Sequence, residues 1–215
     1  MLSLLSSVGL EIAAGPTRWR ARQWGVACLV ASATLLTWIE KRPLQALLQA
    51  KGGDVPRLLA QVADVSGNGF TLVFVSLVAL LLGRWARWRA MVEAAVTLGG
   101  AGPWCWILLL LGQFALAERR PIEGGAMLLF ALGGHGVSGH AAAAGLLYSP
   151  VRDVLARDAT TRARQWVTAC LLAWAAFIAW SRVWLGMHFV WNVVLGLALG
   201  VYVGFAGVRA RSRRP

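Results

Sequence analysis

The sequence predicts an all-α fold, a polytopic membrane bundle of about six transmembrane helices with short amphipathic helices outside it. Hydrophobic residues make up 58% of the 215 residues and charged residues only 14%, whereas a soluble domain carries roughly 25% charged residues. Long apolar runs alternate with basic segments, as spans alternate with loops. No internal repeat divides the chain, so we expect a single integral-membrane domain over residues 1–215.

Six apolar runs are the candidate spans. Several are shorter than the ~20 residues needed to cross hydrocarbon, so we expect their ends to extend into flanking polar sequence. Residues 1–23 precede the first run as a cytoplasmic segment, and the basic cytoplasmic tail 209–215 follows the last. The runs are Trp24–Ile39, Gly69–Gly83, Val92–Ala117, Val137–Val151, Trp166–Trp184 and His188–Val208.

Basic residues are divided unevenly between the two sides that this topology creates. If the termini and the even-numbered loops share one side, that side holds fourteen of the 21 basic residues and four acidic ones, against seven basic and five acidic on the other. The positive-inside rule therefore places both termini in the cytoplasm. Because the basic clusters are separated by spans and form no continuous stripe, we predict no nucleic-acid partner despite the formal charge of +12.

The segment between the first two spans, Lys41–Val65, carries leucines and valines at helical spacing, with a break at Gly52–Gly53. This pattern predicts two short amphipathic helices on the outer surface. We expect them to cover the bundle, and a role as an entrance for a lipid headgroup stays open.

Polar residues of unusual type gather on the external side, where basic residues are few. All three histidines of the chain lie there, near predicted helix ends. Ionisable groups at the ends of membrane helices are costly to bury, which makes them candidates for function. The residues are Gln113, Arg120 and Pro121 after the third span, His135, Ser138, Gly139 and His140 around the start of the fourth, and Ser181, Arg182, His188 and Asn192 between the fifth and sixth.

These residue types suit a phosphate group. The guanidinium groups of Arg120 and Arg182 present forked donors to phosphate oxygens. Residues Ser138–His140 open a helix, whose backbone N–H groups and positive end favour an anion. His188 and Asn192 are four residues apart on one helical face, so Asn192 can orient the imidazole. Two histidines then remain for nucleophilic and acid–base roles, which is what phosphoryl transfer without a metal requires.

The same three segments resemble the signature of the type 2 phosphatidic acid phosphatase (PAP2) superfamily, K-x6-R-P, P-S-G-H and S-R-x5-H-x3-D. The spacings occur here as Gln113-x6-Arg120-Pro121, Val137-Ser138-Gly139-His140 and Ser181-Arg182-x5-His188-x3-Asn192. The resemblance covers the chain from the third span to the sixth. Three spaced motifs in the right order are far more specific than any one of them.

The resemblance implies a bacterial membrane lipid phosphatase with no cofactor and no metal, whose site faces the periplasm from the inner membrane. His188 would attack phosphorus and become a phosphohistidine. His140 would protonate the leaving oxygen and then activate water, with Asn192 at the position of the third catalytic residue. The implied phosphate-binding set is Gln113, Arg120, Ser138, Gly139 and Arg182.

The implied partner is a phosphorylated membrane lipid within the bilayer. Polyprenyl diphosphate, phosphatidylglycerophosphate, phosphatidic acid and lipid A phosphates all fit a cationic site that opens to the membrane. Hydrolysis and transfer of the phosphate to a second lipid both stay open. His135 either lines the headgroup entrance or caps a loop.

Three positions depart from the superfamily pattern. Gln113 replaces a lysine, Val137 a proline, and Asn192 the aspartate that steadies the nucleophilic histidine. An asparagine keeps a hydrogen-bonding oxygen but cannot stabilise an imidazolium. Our hypothesis is that Gln113 and Asn192 weaken an otherwise intact phosphohistidine site. An enzyme with a substitute acid such as Glu118 or Glu123, and a protein that has lost catalysis, stay open as alternatives.

Two other classes of protein compete with the phosphatase. A non-catalytic lipid-phosphate binder or transporter would keep the site and lose turnover, and Gln113 and Asn192 favour it. A haem protein would use the histidines as axial ligands, but those ligands must face each other inside a bundle, whereas these lie at helix ends beside arginines.

The charge distribution gives a prediction about topology. Because the basic residues sort to one side, single cysteines introduced into a cysteine-free background should be accessible to an impermeant thiol reagent from outside at position 140 and inaccessible at position 211. Labelling of the cysteine at position 211 in intact cells would contradict the predicted orientation.

Overall fold

The computed structural model describes residues 2–18, 21–43, 46, 54–116, 136–155, 157 and 159–213. All regular secondary structure with bounds in these ranges is helical, as predicted. A short 3-10 helix, Pro16–Arg18, follows the first α-helix. The α-helices are α1 Leu2–Ala14, α2 Ala21–Ile39, α3 Asp54–Ser66, α4 Gly69–Trp85, α5 Arg89–Ala115, α6 Gly139–Leu155, α7 Thr161–Trp184 and α8 Val190–Ser212.

Each of the six predicted spans coincides with one of these helices, but fewer than six have the length and composition of a span. Within the described residues, α5, α7 and α8 are long and apolar enough to cross a membrane. The pair α3 and α4, bent by 55° at its break, counts as a fourth if it is a single span. The remaining two predicted spans are α2, at 19 residues, and α6, at 17 residues, which by length and composition fall below these four.

The N-terminal segment, predicted only as a cytoplasmic extension, forms α1 and packs against α5 and α8. The side chains of Leu4 and Val8 are fully buried in the main core. The indole N–H of Trp104 donates to the carbonyl of Leu5 at 2.7 Å. A Cβ at Gly100 would lie 2.6 Å from Leu4, so glycine is needed where α1 crosses α5. At 13 residues, α1 is too short to register as a span in the sequence.

The closest helix contact in the bundle joins α6 to α8. A Cβ at Gly200 would overlap the carbonyl oxygen of Ala142, and one at Gly145 would overlap that of Leu197. Ala142 is itself buried. Small residues on both faces let two helix backbones touch, which is how membrane helices gain van der Waals contact. This contact fixes the start of α6 relative to the start of α8.

Ion pairs join the helices at the end of the bundle that carries the basic clusters. Arg211 on α8 pairs with Asp153 on α6 and donates to the hydroxyl of Thr97 on α5 at 3.2 Å. Arg157 lies 2.9 Å from Glu93 and 3.2 Å from Asp153. These two carboxylates raise the pKa of the Arg157 guanidinium by hydrogen bonding. The basic rim is therefore partly a structural network between helices, and not only a solvated surface.

The α6–α8 contact can be tested with a matched pair of glycine substitutions. Gly200→Ala should destabilise the protein by roughly 1–3 kcal/mol, because the added methyl overpacks the contact with Ala142. Gly25→Ala, in the middle of α2 with no neighbouring atom within 4 Å of the new Cβ, should be neutral or slightly stabilising through helix propensity. Thermal unfolding in detergent measures both, and equal stability of the two variants would contradict this account of the contact.

Candidate active site

The three predicted motif segments meet at one end of the bundle. The side-chain amide of Gln113, near the end of α5, donates to the carbonyl of Val137 at 3.1 Å. The backbone N–H of Ser138, just before α6, donates to the carbonyl of Asn192 on α8 at 3.0 Å. A Cβ at Gly196 would lie 2.5 Å from the carbonyl oxygen of Ser138, so glycine one turn into α8 permits this approach. Gln113 thus has a structural contact in addition to its predicted phosphate role.

The start of α6 presents the features expected of an anion site. Ser138 is fully buried, and its hydroxyl accepts a hydrogen bond from the N–H of Ala141 at 3.4 Å, as an N-cap residue does. Gly139 and His140 are the first two helical residues. Backbone N–H groups in the first turn of a helix have no acceptor within that helix, and the positive end of the dipole lies there. These groups are available to an anion.

The turn between α7 and α8 holds Arg182 and His188 close together. The N–H groups of Met187 and His188 both donate to the carbonyl of Arg182, at 3.0 and 3.1 Å. Gly186, with φ 68°, supplies the left-handed residue that folds the chain back. Arg182 and His188 are 4% and 8% exposed, so a cation and an imidazole are both withdrawn from solvent beside each other.

Asn192 is 1% exposed and stabilises the beginning of its own helix. Its side-chain Oδ1 accepts a hydrogen bond from the N–H of Phe189 at 2.8 Å. Its Nδ2 is buried and has no hydrogen-bond partner in the part of the chain that the structure describes. The oxygen expected to orient the imidazole of His188 is thus engaged with the backbone, and the orienting role stays a prediction.

A carboxylate that the sequence analysis did not select, Asp64, lies in this site. Its Oδ1 forms an ion pair with Nη1 of Arg182 and lies 3.1 Å from Nε2 of His140. The Nε of Arg182 is also buried, and it donates to no acceptor in the described ranges. Asp64 brings the two motif residues Arg182 and His140 together from outside the motifs.

Helix α3 carries Asp64 on the face that it packs against the bundle. Ala60 and Ala63 are fully buried on the same face, and a Cβ at Gly67 would lie 2.8 Å from Ile178 on α7. Small residues at helical spacing therefore bring the backbone of α3 close to α7. An aspartate within this stripe of small residues is the sequence signal for a further site residue. The sequence analysis does not select it because the pattern of the segment predicts amphipathic helices that cover the bundle.

Several predicted residues lie outside the described residues: Arg120, Pro121, His135, Glu118 and Glu123. Within the residues that the structure does describe, no three His, Cys, Asp or Glu side chains form a group that would hold a metal ion. The first predicted amphipathic helix, before the break at Gly52–Gly53, also falls largely outside the described residues, whereas α3 corresponds to the second.

The fold and this site define a class: an integral membrane protein in which buried arginine and histidine side chains line one end of a helical bundle. Comparison with known families identifies the class further. The family model of the PAP2 superfamily matches residues 70–215, which is more than half of the chain. The chain therefore belongs to the PAP2 superfamily. A search of curated proteins found no match.

Two solved structures share the fold. One is a transmembrane PAP2-type phosphatidylglycerolphosphate phosphatase from Bacillus subtilis. It is 16% identical to this chain in sequence, and the two structures align with a TM-score of 0.64 over 98% of this chain and 97% of that one. Aquifex aeolicus LpxE is 19% identical, with a TM-score of 0.55 over 78% of this chain and 93% of that one. At these identities the similarity concerns the fold.

The capping role of Asn192 gives a stability prediction. Asn192→Leu should lower the free energy of unfolding by roughly 1–3 kcal/mol, because the buried N–H of Phe189 loses its acceptor. Asn192→Asp keeps the acceptor and places a negative charge at the positive end of α8, so its stability should equal or exceed that of the wild type. Denaturant unfolding in detergent compares the two, and equal losses would contradict the capping assignment.

Proposed function

We propose that this protein is a membrane lipid-phosphate phosphatase that hydrolyses a phosphomonoester or diphosphate through a phosphohistidine at His188. Its proposed location is the bacterial inner membrane, with the site at the periplasmic face. The observation that carries the proposal is that buried Arg182 and His188 and partly buried His140 lie at one end of the bundle, where the described parts of the three superfamily motifs meet. Membership of the superfamily supports the reaction class.

The proposed reaction proceeds in two displacements. In the first, an imidazole nitrogen of His188 bonds to phosphorus, the bond from phosphorus to the leaving oxygen breaks, and His140 gives that oxygen a proton. In the second, water attacks the phosphohistidine, its proton passes to His140, and the phosphorus–nitrogen bond breaks. Splitting one displacement into two is the advantage of a covalent intermediate.

The charges around His188 support binding of the phosphate. The guanidinium of Arg182 is buried, so its attraction for an anion is less screened than at an exposed position. Its Nε, which has no acceptor among the described residues, and the N–H groups of Gly139 and His140 at the start of α6 offer hydrogen bonds to phosphate oxygens. Arg120 is proposed as a second cation on the strength of the motif alone.

An apolar groove beside the site supports a lipid as substrate. A cavity of about 1790 Å³ runs between α2 and α8, lined among others by Val30, Leu35 and Leu195. Trp38 and Lys41 line it as well, and the ammonium of Lys41 lies 5.6 Å from the ring centre of Phe189, the residue after His188. We propose that the groove holds the hydrocarbon tail while the phosphate reaches His188.

The two structural neighbours guide the choice of substrates to assay. One of them is named for phosphatidylglycerolphosphate. We therefore propose phosphatidylglycerophosphate, phosphatidic acid, polyprenyl diphosphate and lipid A phosphates as the candidate class. A non-catalytic lipid-phosphate binder is the second candidate, because Asn192 leaves His188 without the aspartate of the superfamily motif. A phosphotransferase would use the same intermediate and a lipid acceptor in place of water.

Phosphate release by detergent-purified protein tests the proposal. Wild type should release inorganic phosphate from at least one lipid of the panel, and brief incubation followed by alkaline quenching should trap an acid-labile phosphoprotein. His188→Ala should abolish both, because no other described group is proposed to bond to phosphorus. Transfer of labelled phosphate to an added lipid alcohol would identify a phosphotransferase.

Met187→Leu is the matched control, since it changes an apolar side chain in the same turn and should leave turnover unchanged. Wild-type turnover in His188→Ala would rule out the phosphohistidine. A wild type that binds lipid phosphates and releases nothing from any of them would establish the non-catalytic binder.

A further inference from the structure

Asp64 occupies a position that neither the motifs nor the family match accounts for. The match to the superfamily begins at residue 70, so α3 and its carboxylate lie before it. Yet the Oδ1 of Asp64 pairs with Arg182 and lies 3.1 Å from Nε2 of His140. The contacts therefore bring a fourth segment, α3, into the site in addition to the three motif segments.

A carboxylate in this position has a clear electrostatic cost. It carries the same sign as the phosphate that Arg182 and the start of α6 are proposed to bind, and like charges repel strongly where water is scarce. It also occupies one donor of Arg182. An unpaired buried guanidinium would be costly as well, and Asp64 offsets that cost in the empty site. Neutralising Arg182 alone, however, does not require a contact with His140.

The contact with His140 suggests a chemical role. A histidine that acts as a general acid must be protonated, and a neighbouring carboxylate stabilises the imidazolium. Asp64 and Nε2 form an ion-pair contact without hydrogen-bond geometry in the described residues. A carboxylate on this side of the ring favours one ring orientation and leaves Nδ1 for the proton transfer, by the logic of histidine–aspartate pairs in hydrolases. Position 192, where the superfamily motif has its aspartate, holds an asparagine whose Oδ1 is bound to Phe189.

We propose that Asp64 is a positioning residue for His140, and that it supplies to the acid–base histidine the negative charge that position 192 does not supply to the nucleophile. This inference rests on the proposed function. In the first displacement the proton moves from His140 to the leaving oxygen while Asp64 stays ionised. In the second, His140 takes a proton from water, and the carboxylate stabilises the imidazolium that forms. Arg182 has five N–H donors, so it can hold Asp64 and a phosphate oxygen together.

The test varies the leaving group, because only a general-acid role depends on it. Phosphatidic acid expels an alkoxide, which needs a proton, whereas p-nitrophenyl phosphate expels a stable phenolate, which does not. We expect Asp64→Asn to lower kcat/KM, which reports the first displacement and not the shared hydrolysis of the phosphohistidine, for phosphatidic acid by at least roughly tenfold, within the range of general-acid contributions. For p-nitrophenyl phosphate the loss should stay below about threefold, since proton donation then contributes little.

The double variant Asp64→Asn/His140→Ala checks that Asp64 acts through His140. If it does, the double variant should be no slower on phosphatidic acid than His140→Ala alone. Asp54→Asn, at the exposed start of the same helix, is the matched control and should leave both substrates unaffected. Asp64→Ser provides a second neutral variant should Asp64→Asn prove unstable in detergent, and Asp64→Glu should preserve the wild-type ratio of the two rates.

Several outcomes would overturn the inference while leaving the proposed function intact. Equal losses on both substrates would make Asp64 part of the phosphate site or of the fold. A faster Asp64→Asn would mean that the carboxylate competes with the phosphate for Arg182. Unchanged rates would remove Asp64 from the reaction. A wild type inactive on every lipid phosphate and on p-nitrophenyl phosphate would instead refute the proposed function, and this inference with it.

Discussion

The backbones of α6 and α8 lie in direct contact because glycine and alanine line both faces. Gly145 and Gly200 leave no room for a side chain, because a Cβ there would overlap the carbonyl oxygens of Leu197 and Ala142. The consequence reaches the site, since the first turns of the two helices are aligned closely enough for the N–H of Ser138 to bond to the carbonyl of Asn192. Two motifs separated by more than forty residues in sequence become neighbours through this packing.

Charge is handled differently at the two ends of the bundle. At one end, Arg157 and Arg211 pair with Glu93 and Asp153 in a partly exposed network, where each pair contributes little alone and the set links three helices. At the other, Arg182 is almost fully buried and pairs with the carboxylate of Asp64, which also lies 3.1 Å from Nε2 of His140. A buried cation needs compensation; Asp64 provides part of it, and an anionic substrate would add to it in the proposed reaction.

The site has an asparagine at position 192, where the superfamily motif has an aspartate, and its carboxylate comes instead from Asp64 on α3. Asn192 retains the hydrogen bond that starts α8, so the geometry at this position does not depend on a carboxylate. Asp64 brings a carboxylate from a different helix to the other histidine. In the proposed reaction, the asparagine at position 192 and the carboxylate of Asp64 therefore concern different parts of the chemistry, the nucleophile in the first case and the proton donor in the second.

The sequence by itself determined the helical class, the membrane character and most of the candidate site. Apolar runs and helix-end motifs report local preferences, and the spacing of Ser138–His140, Arg182 and His188 is unchanged by folding. The structure does not describe Arg120 or His135, so those predictions stand as they were made. All six predicted apolar runs correspond to helices, and the structure adds which of these helices have the length and composition of a span.

Tertiary structure alone decided the place of α1 and of Asp64. Helix α1 packs on α5 where Leu4 contacts Gly100, a residue more than 90 positions away in sequence. No local pattern reveals this contact. In the sequence, Asp64 is one acid in a segment that predicts an amphipathic surface helix. In the structure, the stripe of Ala60, Ala63 and Gly67 beside it packs against α7. Periodicity identifies which face of a helix is apolar, but the partner of that face is fixed by packing, and packing brought this carboxylate to His140 and Arg182.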